Sequence, residues 1–144
     1  MPRTDVFRRI LARAAEELGP IVEKAQLAPE SFSLGEVESN LQVALKNLGA
    51  STLSTLCGLG QERHKKRVPG HPNVGQGDHW LTFEGNREKR LGTLFGEIRF
   101  TRAYYHSENP QDSRWPRDEE LGLKPGQIWS PGLQDVADYL ATAT

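Results

Sequence analysis

A chain of 144 residues is long enough for one ordinary domain or two small ones, and an apolar fraction of 36% is low for a self-sufficient core. No apolar run approaches the roughly 20 residues needed to span a bilayer, and the N-terminus lacks the uncharged segment of a signal peptide. The single cysteine, Cys57, excludes an internal disulfide framework, so we expect a cytoplasmic protein without a membrane partner.

Charge is unevenly distributed along the chain, although the formal net charge is only −1. Residues 61–117 carry eleven lysines and arginines against seven acidic side chains, whereas residues 118–144 carry one against five. The middle segment is therefore the only part whose excess of positive charge favours binding to a phosphate backbone. A solvated surface of mixed charge explains the same excess, so charge alone does not decide between the two.

The first 60 residues have the apolar periodicity of helices that pack on one another. Asp5 lies where an acidic residue favours the first turn of a helix, and the periodic pattern continues from there to Leu18. Gly19 and Pro20 then predict the end of this first helix, followed by a shorter helical turn over residues 20–27.

A second helix is predicted from the strongest local signal in the chain. Ser33, with Glu36 three residues later, has the spacing of a capping box. Gly49 suits the left-handed residue that closes such a helix, and Ser51 is placed to cap a short third helix through Leu56. We expect the apolar stripes of these helices to pack together rather than to bind a ligand.

Strands are predicted after a loop over residues 61–78, which is rich in glycine, proline, histidine and charge. Gly85-Asn86 predicts a two-residue hairpin turn, and Phe95-Gly96 predicts a second tight turn. The result is a three-stranded antiparallel meander after the helices, which makes the fold α+β. The three predicted strands are residues 80–84, 87–94 and 97–105.

A turn at Phe95-Gly96 also sets the pairing of the last two strands. It places Lys89 directly opposite Arg102, at the basic end of a face that is otherwise apolar. Like charges opposed on a sheet are unfavourable unless they are solvated or bridged by an anion, so this pair is a candidate phosphate clamp. Surface solvation is the simpler alternative. The same register opposes Thr93 to Ile98 and Leu91 to Phe100.

The C-terminal segment is predicted to be irregular from Pro110 to Ser130 and helical afterwards. The Ser130 hydroxyl is placed to cap this helix, with Pro131 at its first position. Such a short helix is marginal alone, so we expect it to dock on the preceding segment or to belong to a longer protein. The chain therefore divides into a helical leader (residues 1–60), a basic loop with the sheet (61–117) and a turn with a truncated helix (118–144).

Sequence landmarks follow one another in a characteristic order through residues 60–144. An LFG turn precedes a strand that ends in RAYYH, and P-x-D-E-x-L-G-L then leads to a helix that begins with SPG. This order resembles the leading segment of the Kra group of bacterial insertion-sequence transposases. The landmarks are Leu94, Phe95, Gly96, Arg102, Ala103, Tyr104, Tyr105, His106, Pro116, Asp118, Glu119, Leu121, Gly122, Leu123, Ser130, Pro131 and Gly132.

The resemblance implies a zinc-ribbon-like sheet and a downstream catalytic domain of the acidic-triad (DDE) type, so we expect no catalytic residue in this chain. A structural zinc site needs paired knuckles, but Val74 and Ser107 stand where the family carries cysteines. We therefore expect a degenerate zinc ribbon without a metal or cofactor. The alternative is a metal held by His71, His79 and His106.

DNA binding is the predicted role, as an accessory part of transposition and DNA recombination. Trp80, Tyr104 and Tyr105 either stack on bases or fill the core. One alternative is a protein-interaction module that forms homo-oligomers or inhibits full-length transposase, and another is a decayed remnant without function. The predicted DNA-binding residues are Lys65, Lys66, Arg67, Arg87, Lys89, Arg90, Arg99 and Arg102.

Overall fold

Two long helices form an antiparallel hairpin in the computed structural model, which describes residues 2–60, 64–72, 74, 77–108 and 111–143. Lys24 near the end of the first helix pairs with Glu36 near the start of the second at 3.2 Å. Further along, Asn47 donates a hydrogen bond to Glu17 at 3.4 Å. The helices are α1 (Pro2–Leu27) and α2 (Leu34–Cys57), joined through a 3-10 turn at Pro29–Ser31.

Both helices are longer than the sequence predicted. The predicted start of α2 is confirmed, because the Ser33 hydroxyl accepts a hydrogen bond from the Glu36 N–H at 3.4 Å. The predicted breaks are wrong: α1 continues through Pro20, and α2 continues through Gly49. A Cβ at Gly49 would collide with the Phe95 ring, so this glycine allows close packing instead of ending the helix.

The sheet has four antiparallel strands rather than the predicted three. β1 lies within the predicted loop, and β4 lies within the segment predicted to be irregular. Both are too short to show an alternating pattern and form by pairing with the longer strands. Predicted loop positions 61–63, 73, 75 and 76, and position 110, lie outside the described residues. In sheet order the strands are β1 (Arg67–Pro69), β2 (Trp80–Thr93), β3 (Gly96–Glu108) and β4 (Gln111–Arg114).

Gly85-Asn86, predicted as a hairpin turn, instead lies inside β2 at a β-bulge. The register shifts between Phe83, which faces Tyr105, and Gly85, which faces Tyr104. The extra residue is accommodated by the positive φ of 129° at Gly85. Pairing with β3 on both sides of the bulge uses the backbone hydrogen-bonding groups that a turn would leave unpaired, which favours one long strand.

The β2–β3 turn is Leu94-Phe95 rather than Phe95-Gly96. The Thr93 hydroxyl fixes this turn, since it accepts from the Phe95 N–H at 3.1 Å and donates to the Gly96 carbonyl at 2.7 Å. Gly96, with a φ of 102°, is the first residue of β3. The turn therefore lies one residue earlier than the sequence predicted, and each β2 residue faces a β3 residue two positions before its predicted partner.

The candidate phosphate clamp is wrong in its pairing as a consequence. Lys89 faces Phe100, and Arg102 faces Arg87. The observed partner of Lys89 is two positions away from the predicted one. Because two is an even number, Lys89 and Arg102 still lie together on the predicted face of the hairpin. The other two predicted pairs change in the same way, since Thr93 faces Gly96 and Leu91 faces Ile98.

Two small cores lie on opposite faces of the sheet. The β3 residues of one core are separated from those of the other by odd numbers of positions, and successive residues of a strand point to opposite faces. The first core lies beneath α2 near the hairpin turn and contains Cys57, Leu91, Ile98, Phe100 and Leu123. The second lies at the other end of the sheet and contains Leu81, Ala103 and Tyr105, with Val68 and Phe83 against them. The prediction that Tyr105 fills the core is confirmed, since it is 2% exposed.

The C-terminal segment begins with a short helix, α3 (Pro116–Glu120), and ends with α4 (Pro131–Ala143). The predicted cap of α4 is confirmed, because the Ser130 hydroxyl accepts from the Leu133 N–H at 3.1 Å. Trp129 forms a parallel bridge with Gly92 of β2, which docks this segment on the sheet. Of the helices described, none is long and apolar enough to cross a membrane.

Candidate nucleic-acid interface

The sheet curls around the second core at the end away from the hairpin turn. Its two edge strands approach each other there, and Arg114 of β4 donates a hydrogen bond to the Pro69 carbonyl of β1 at 2.9 Å. The Tyr105 hydroxyl donates to the Lys65 carbonyl across the inside of the curl. This end of the sheet therefore has a concave face filled by the core and a convex face turned to solvent.

A His–Asp–His seam, formed by His71, His79 and Asp112, joins the two sides of the curl. His71 Nδ1 lies 2.7 Å from one Asp112 oxygen, and His79 Nε2 lies 3.0 Å from the other. The His71 backbone N–H also donates to Asp112 at 2.7 Å. The Asp112 side chain is 5% exposed. A Cβ at Gly70 would collide with the His79 ring, so the glycine leaves the space that the ring occupies.

The seam stabilises the ionised form of its carboxyl group. Burial acts to raise the pKa of Asp112, but hydrogen bonds from His71, His79 and the Ser113 N–H outweigh it and hold that pKa well below its usual range. Glu119 extends the network, with its Oε1 3.7 Å from His71 Nε2. The hydrogen bond from Arg114 is the main cause that lowers the pKa of Glu119.

These residues do not fit the zinc centre that the family resemblance implies. His71 and His79 both direct a ring nitrogen at Asp112, so their donors meet at a carboxylate rather than at a common vacant point. Cys57 lies in the other core, where burial raises the pKa of its thiol. Within the described part of the chain, no group of three or more His, Cys, Asp or Glu side chains is arranged to hold a metal ion.

The convex face presents cationic and aromatic side chains side by side. The Arg67 guanidinium lies 5.5 Å from the centre of the Trp80 ring, and the Arg87 guanidinium lies 6.0 Å from the centre of the Tyr104 ring. Both arginines are exposed, and Trp80 is 55% exposed. We call the surface formed by Arg67, Trp80, Arg87 and Tyr104 the cation–aromatic face.

The bulge in β2 positions one half of this face. Gly85 faces Tyr104 and has no side chain, so Arg87 leans into the space beside it; a Cβ at Gly85 would lie 2.8 Å from the Arg87 guanidinium. Tyr104 is supported from the other side by Trp115, with ring centres 4.4 Å apart. His106 lies next along the strand, and in the described structure its buried Nδ1 has no hydrogen-bond partner.

Two of the predicted DNA-binding residues, Lys89 and Arg102, are buried. Arg102 donates to Asp118 at 3.1 Å, and both side chains of this ion pair are about one-tenth exposed or less. Its guanidinium also lies 3.7 Å from the centre of the Trp115 ring. Arg102 thus attaches α3 to the sheet, and we do not include it or Lys89 in the candidate interface.

The remaining predicted residues lie in two places. Arg90 and Arg99 face each other on the opposite side of the hairpin from Lys89 and Arg102. Arg99 lies between two acids, 3.9 Å from Glu88 and 3.6 Å from Glu97, so its charge is largely compensated. Arg67 and Arg87 belong to the cation–aromatic face, and the exposed Lys65 and Lys66 directly precede Arg67.

The landmarks of the transposase resemblance lie at the hairpin turn, along β3, in and directly after α3, and at the start of α4. Two of them that are far apart in sequence, Arg102 and Asp118, form the buried ion pair. No protein-family model, no curated protein and no solved structure matches this chain. The resemblance therefore depends on the landmarks alone, and the function has to be inferred from the chemistry of the residues themselves.

Proposed function

We propose that this chain binds DNA through the cation–aromatic face, as an accessory module of an insertion-sequence transposase of the Kra group that it resembles. The observation that carries the proposal is the pairing of exposed guanidinium groups with aromatic rings on one convex surface. Guanidinium groups bind phosphate oxygens in a bidentate manner, and aromatic rings stack with bases. This combination of side chains can therefore contact both the phosphates and the bases of a nucleic acid.

The charges near this face support the proposal. The ion pairs of the β2–β3 hairpin engage Arg99 and Arg102, which lie elsewhere. The cations at the curled end are exposed, so a phosphate backbone can approach them without first breaking a buried ion pair. These cations are Lys65, Lys66, Arg67 and Arg87.

A salt titration of binding to a fluorescently labelled oligonucleotide tests the proposal. Four phosphate contacts predict that log K falls with log salt concentration with a slope of roughly −3 to −4. In the double variant Arg67→Gln/Arg87→Gln this slope falls by about half, and the affinity at moderate salt falls at least tenfold. The matched control, Arg90→Gln/Arg99→Gln, removes the same charge from the other face and leaves the slope nearly unchanged.

Equal losses in both double variants would show that only net charge matters and would refute the cation–aromatic face as the binding surface. A wild-type protein without measurable affinity for DNA at low salt would refute the proposed function altogether. Far-UV circular dichroism of all the variants establishes that each comparison is made between folded proteins.

A second candidate function, association through the helices, is favoured by the apolar side chains that they expose. In α1, Phe7 is 62% exposed, and in α4, Tyr139 is 71% and Leu140 is 59% exposed. In α4 no described residue is buried, although one side of the helix is apolar. Such a surface is typical of an interface with a second copy of the chain or with another part of a larger protein.

Sedimentation equilibrium over a wide range of protein concentration tests this second candidate. Self-association predicts a molecular mass that rises with concentration, and Leu140→Glu restores the monomer. Asp138→Lys, on the same helix, is the control for a change of charge without loss of apolar surface. A monomer at every concentration would exclude self-association.

A further inference from the structure

We infer that the cation–aromatic face takes single-stranded DNA in preference to duplex, with a base stacked on Trp80; this rests on the DNA binding proposed above. Trp80 points away from the second core and is 55% exposed, although tryptophan is one of the largest apolar side chains. Its neighbour in β2, Leu81, points to the other face and is fully buried. Burial of the core therefore does not explain the tryptophan at this position.

The geometry around Trp80 suits a nucleotide. Arg67 belongs to β1 and pairs with Thr82, so it stands diagonally beside Trp80 on the same face. Its guanidinium lies over the Trp80 ring at 5.5 Å, where it can contact a phosphate while the exposed part of the ring contacts the attached base. An unpaired base has an open π-face for such a contact, whereas a base inside a duplex is already stacked on both sides.

The local charge favours single strands for a second reason. Glu84 and Glu108 are exposed at the same end of the sheet and offset part of the positive charge of Arg67 and Arg87. These two carboxylates reduce, but do not cancel, the electrostatic attraction that supplies essentially all non-specific binding to duplex DNA. Base stacking does not depend on net charge, and each stacked base increases affinity by roughly 5-fold to more than 100-fold.

The shape of the protein points in the same direction. The major groove of a duplex admits a helix or a two-stranded ribbon. The contacts that place α2 and α4 on the sheet lie near the hairpin turn, where Gly49 of α2 meets Phe95 and Gly132 of α4 meets Leu94. These helices therefore pack at the opposite end from Trp80. At the curled end Trp115 packs on Tyr104, but the part of the same face around Arg67 and Trp80 is exposed. This exposed part suits a flexible single strand better than the rigid groove of a duplex.

Titrations with one labelled oligonucleotide, alone and annealed to its complement, test the inference. We expect the single strand to bind at least tenfold more tightly than the duplex at the same ionic strength, and to quench tryptophan fluorescence. Trp80→Ala is expected to weaken single-strand binding by about 5- to 100-fold, and Trp80→Phe to retain most of it. Trp129→Ala, which removes another half-exposed tryptophan at the other end of the sheet, serves as the matched control and is expected to bind like the wild type.

The outcomes separate this inference from the proposed function. Duplex affinity equal to or above that of the single strand, with Trp80→Ala unchanged and Arg67→Gln/Arg87→Gln weakened, would overturn the single-strand preference and leave DNA binding in place. Equal effects of Trp80→Ala and Trp129→Ala would overturn the role of Trp80. Failure to bind either form of DNA would overturn both proposals.

Discussion

The two ends of the sheet expose opposite faces, and the chemistry of the exposed face differs between them. Near the hairpin turn, helices cover one face and the other carries Arg99 between two glutamates. At the curled end, the second core fills the concave face of the sheet. The convex face presents Arg67 with Trp80 and Arg87 with Tyr104. An excess of basic residues in the sequence therefore does not show where an interface lies; the contacts that each basic side chain makes in the fold are more informative.

The largest effect is expected where a charge is buried, because the ion pair between Arg102 and Asp118 joins α3 to the sheet. Asp118→Ala leaves the Arg102 guanidinium buried without its partner and should lower the free energy of unfolding by about 3–5 kcal/mol. Urea denaturation followed by circular dichroism measures this change. Glu120→Ala, which removes the exposed partner of Arg117 in the same helix, should cost about 0.5 kcal/mol or less. Similar losses in the two variants would contradict the assigned role of the buried pair.

Removal of the seam is expected to have the next largest effect and to act on the curled end of the sheet. Asp112→Ala leaves two imidazole rings and two backbone N–H groups without their acceptor and should cost about 2–3 kcal/mol. Amide hydrogen exchange should accelerate at Leu81 and Tyr105 more than at Ile98 and Phe100, which belong to the other core. Uniform acceleration throughout the sheet would show that the two ends do not unfold separately.

The same carboxylate predicts a pH dependence. The pKa of Asp112 is lower in the folded protein than in the unfolded chain, so the unfolded state binds more protons. The stabilisation is therefore complete at pH values above the ordinary carboxyl pKa of about 4 and is lost as the pH falls below it. Unfolding curves between pH 6 and 3 should show a smaller loss of stability for Asp112→Asn than for the wild type; parallel curves would rule out this assignment.

An intermediate effect is expected at the bulge, where the sheet changes its exposed face. Gly85→Ala places a Cβ at a φ of 129° and within 2.8 Å of the Arg87 guanidinium. We expect a loss of about 1–3 kcal/mol from backbone strain, together with weaker DNA binding because Arg87 is displaced from Tyr104. Gly96→Ala has similar backbone strain at the hairpin turn and should leave DNA affinity unchanged. Weaker binding in both variants would mean that the loss is not specific to Arg87.

The smallest effect is expected at Arg99. Its two ion pairs are exposed and longer than 3.5 Å, so Arg99→Gln should change the free energy of unfolding by less than about 1 kcal/mol. DNA affinity should also remain close to that of the wild type. A loss of affinity as large as that of Arg67→Gln would show that the exposed face near the hairpin turn also binds DNA.

Local features of the fold were predictable from sequence, because they depend on residues a few positions apart. The caps at Ser33 and Ser130 are such features, and both are confirmed. Gly49 and Gly85 were assigned to a helix end and a turn because glycine favours both locally. In the structure Gly49 instead meets Phe95, and Gly85 pairs with Tyr104 of β3; long-range packing of this kind is not visible in a short sequence window.

The candidate site was predictable only in part for the same reason. One alternative from the sequence placed His71, His79 and His106 around a metal; the structure brings His71 and His79 together, but around the carboxylate of Asp112. Asp112 is 41 residues from His71 in sequence, and no local signal connects them. Trp80 was predicted either to stack on bases or to fill the core. It is 55% exposed, because it lies on the face of β2 opposite to the buried Leu81, and sequence alone did not decide which face it would occupy.

NMR mapping of the bound surface tests whether DNA binds at the cation–aromatic face through Trp80. A single-stranded oligonucleotide is titrated into isotope-labelled protein, and the indole N–H signals of Trp80, Trp115 and Trp129 are followed with the backbone amides. We expect the largest shifts at Trp80 and its neighbours Arg67 and Thr82, with little change at Trp129. Shifts centred on Arg90 and Arg99, or spread evenly over the protein, would contradict it.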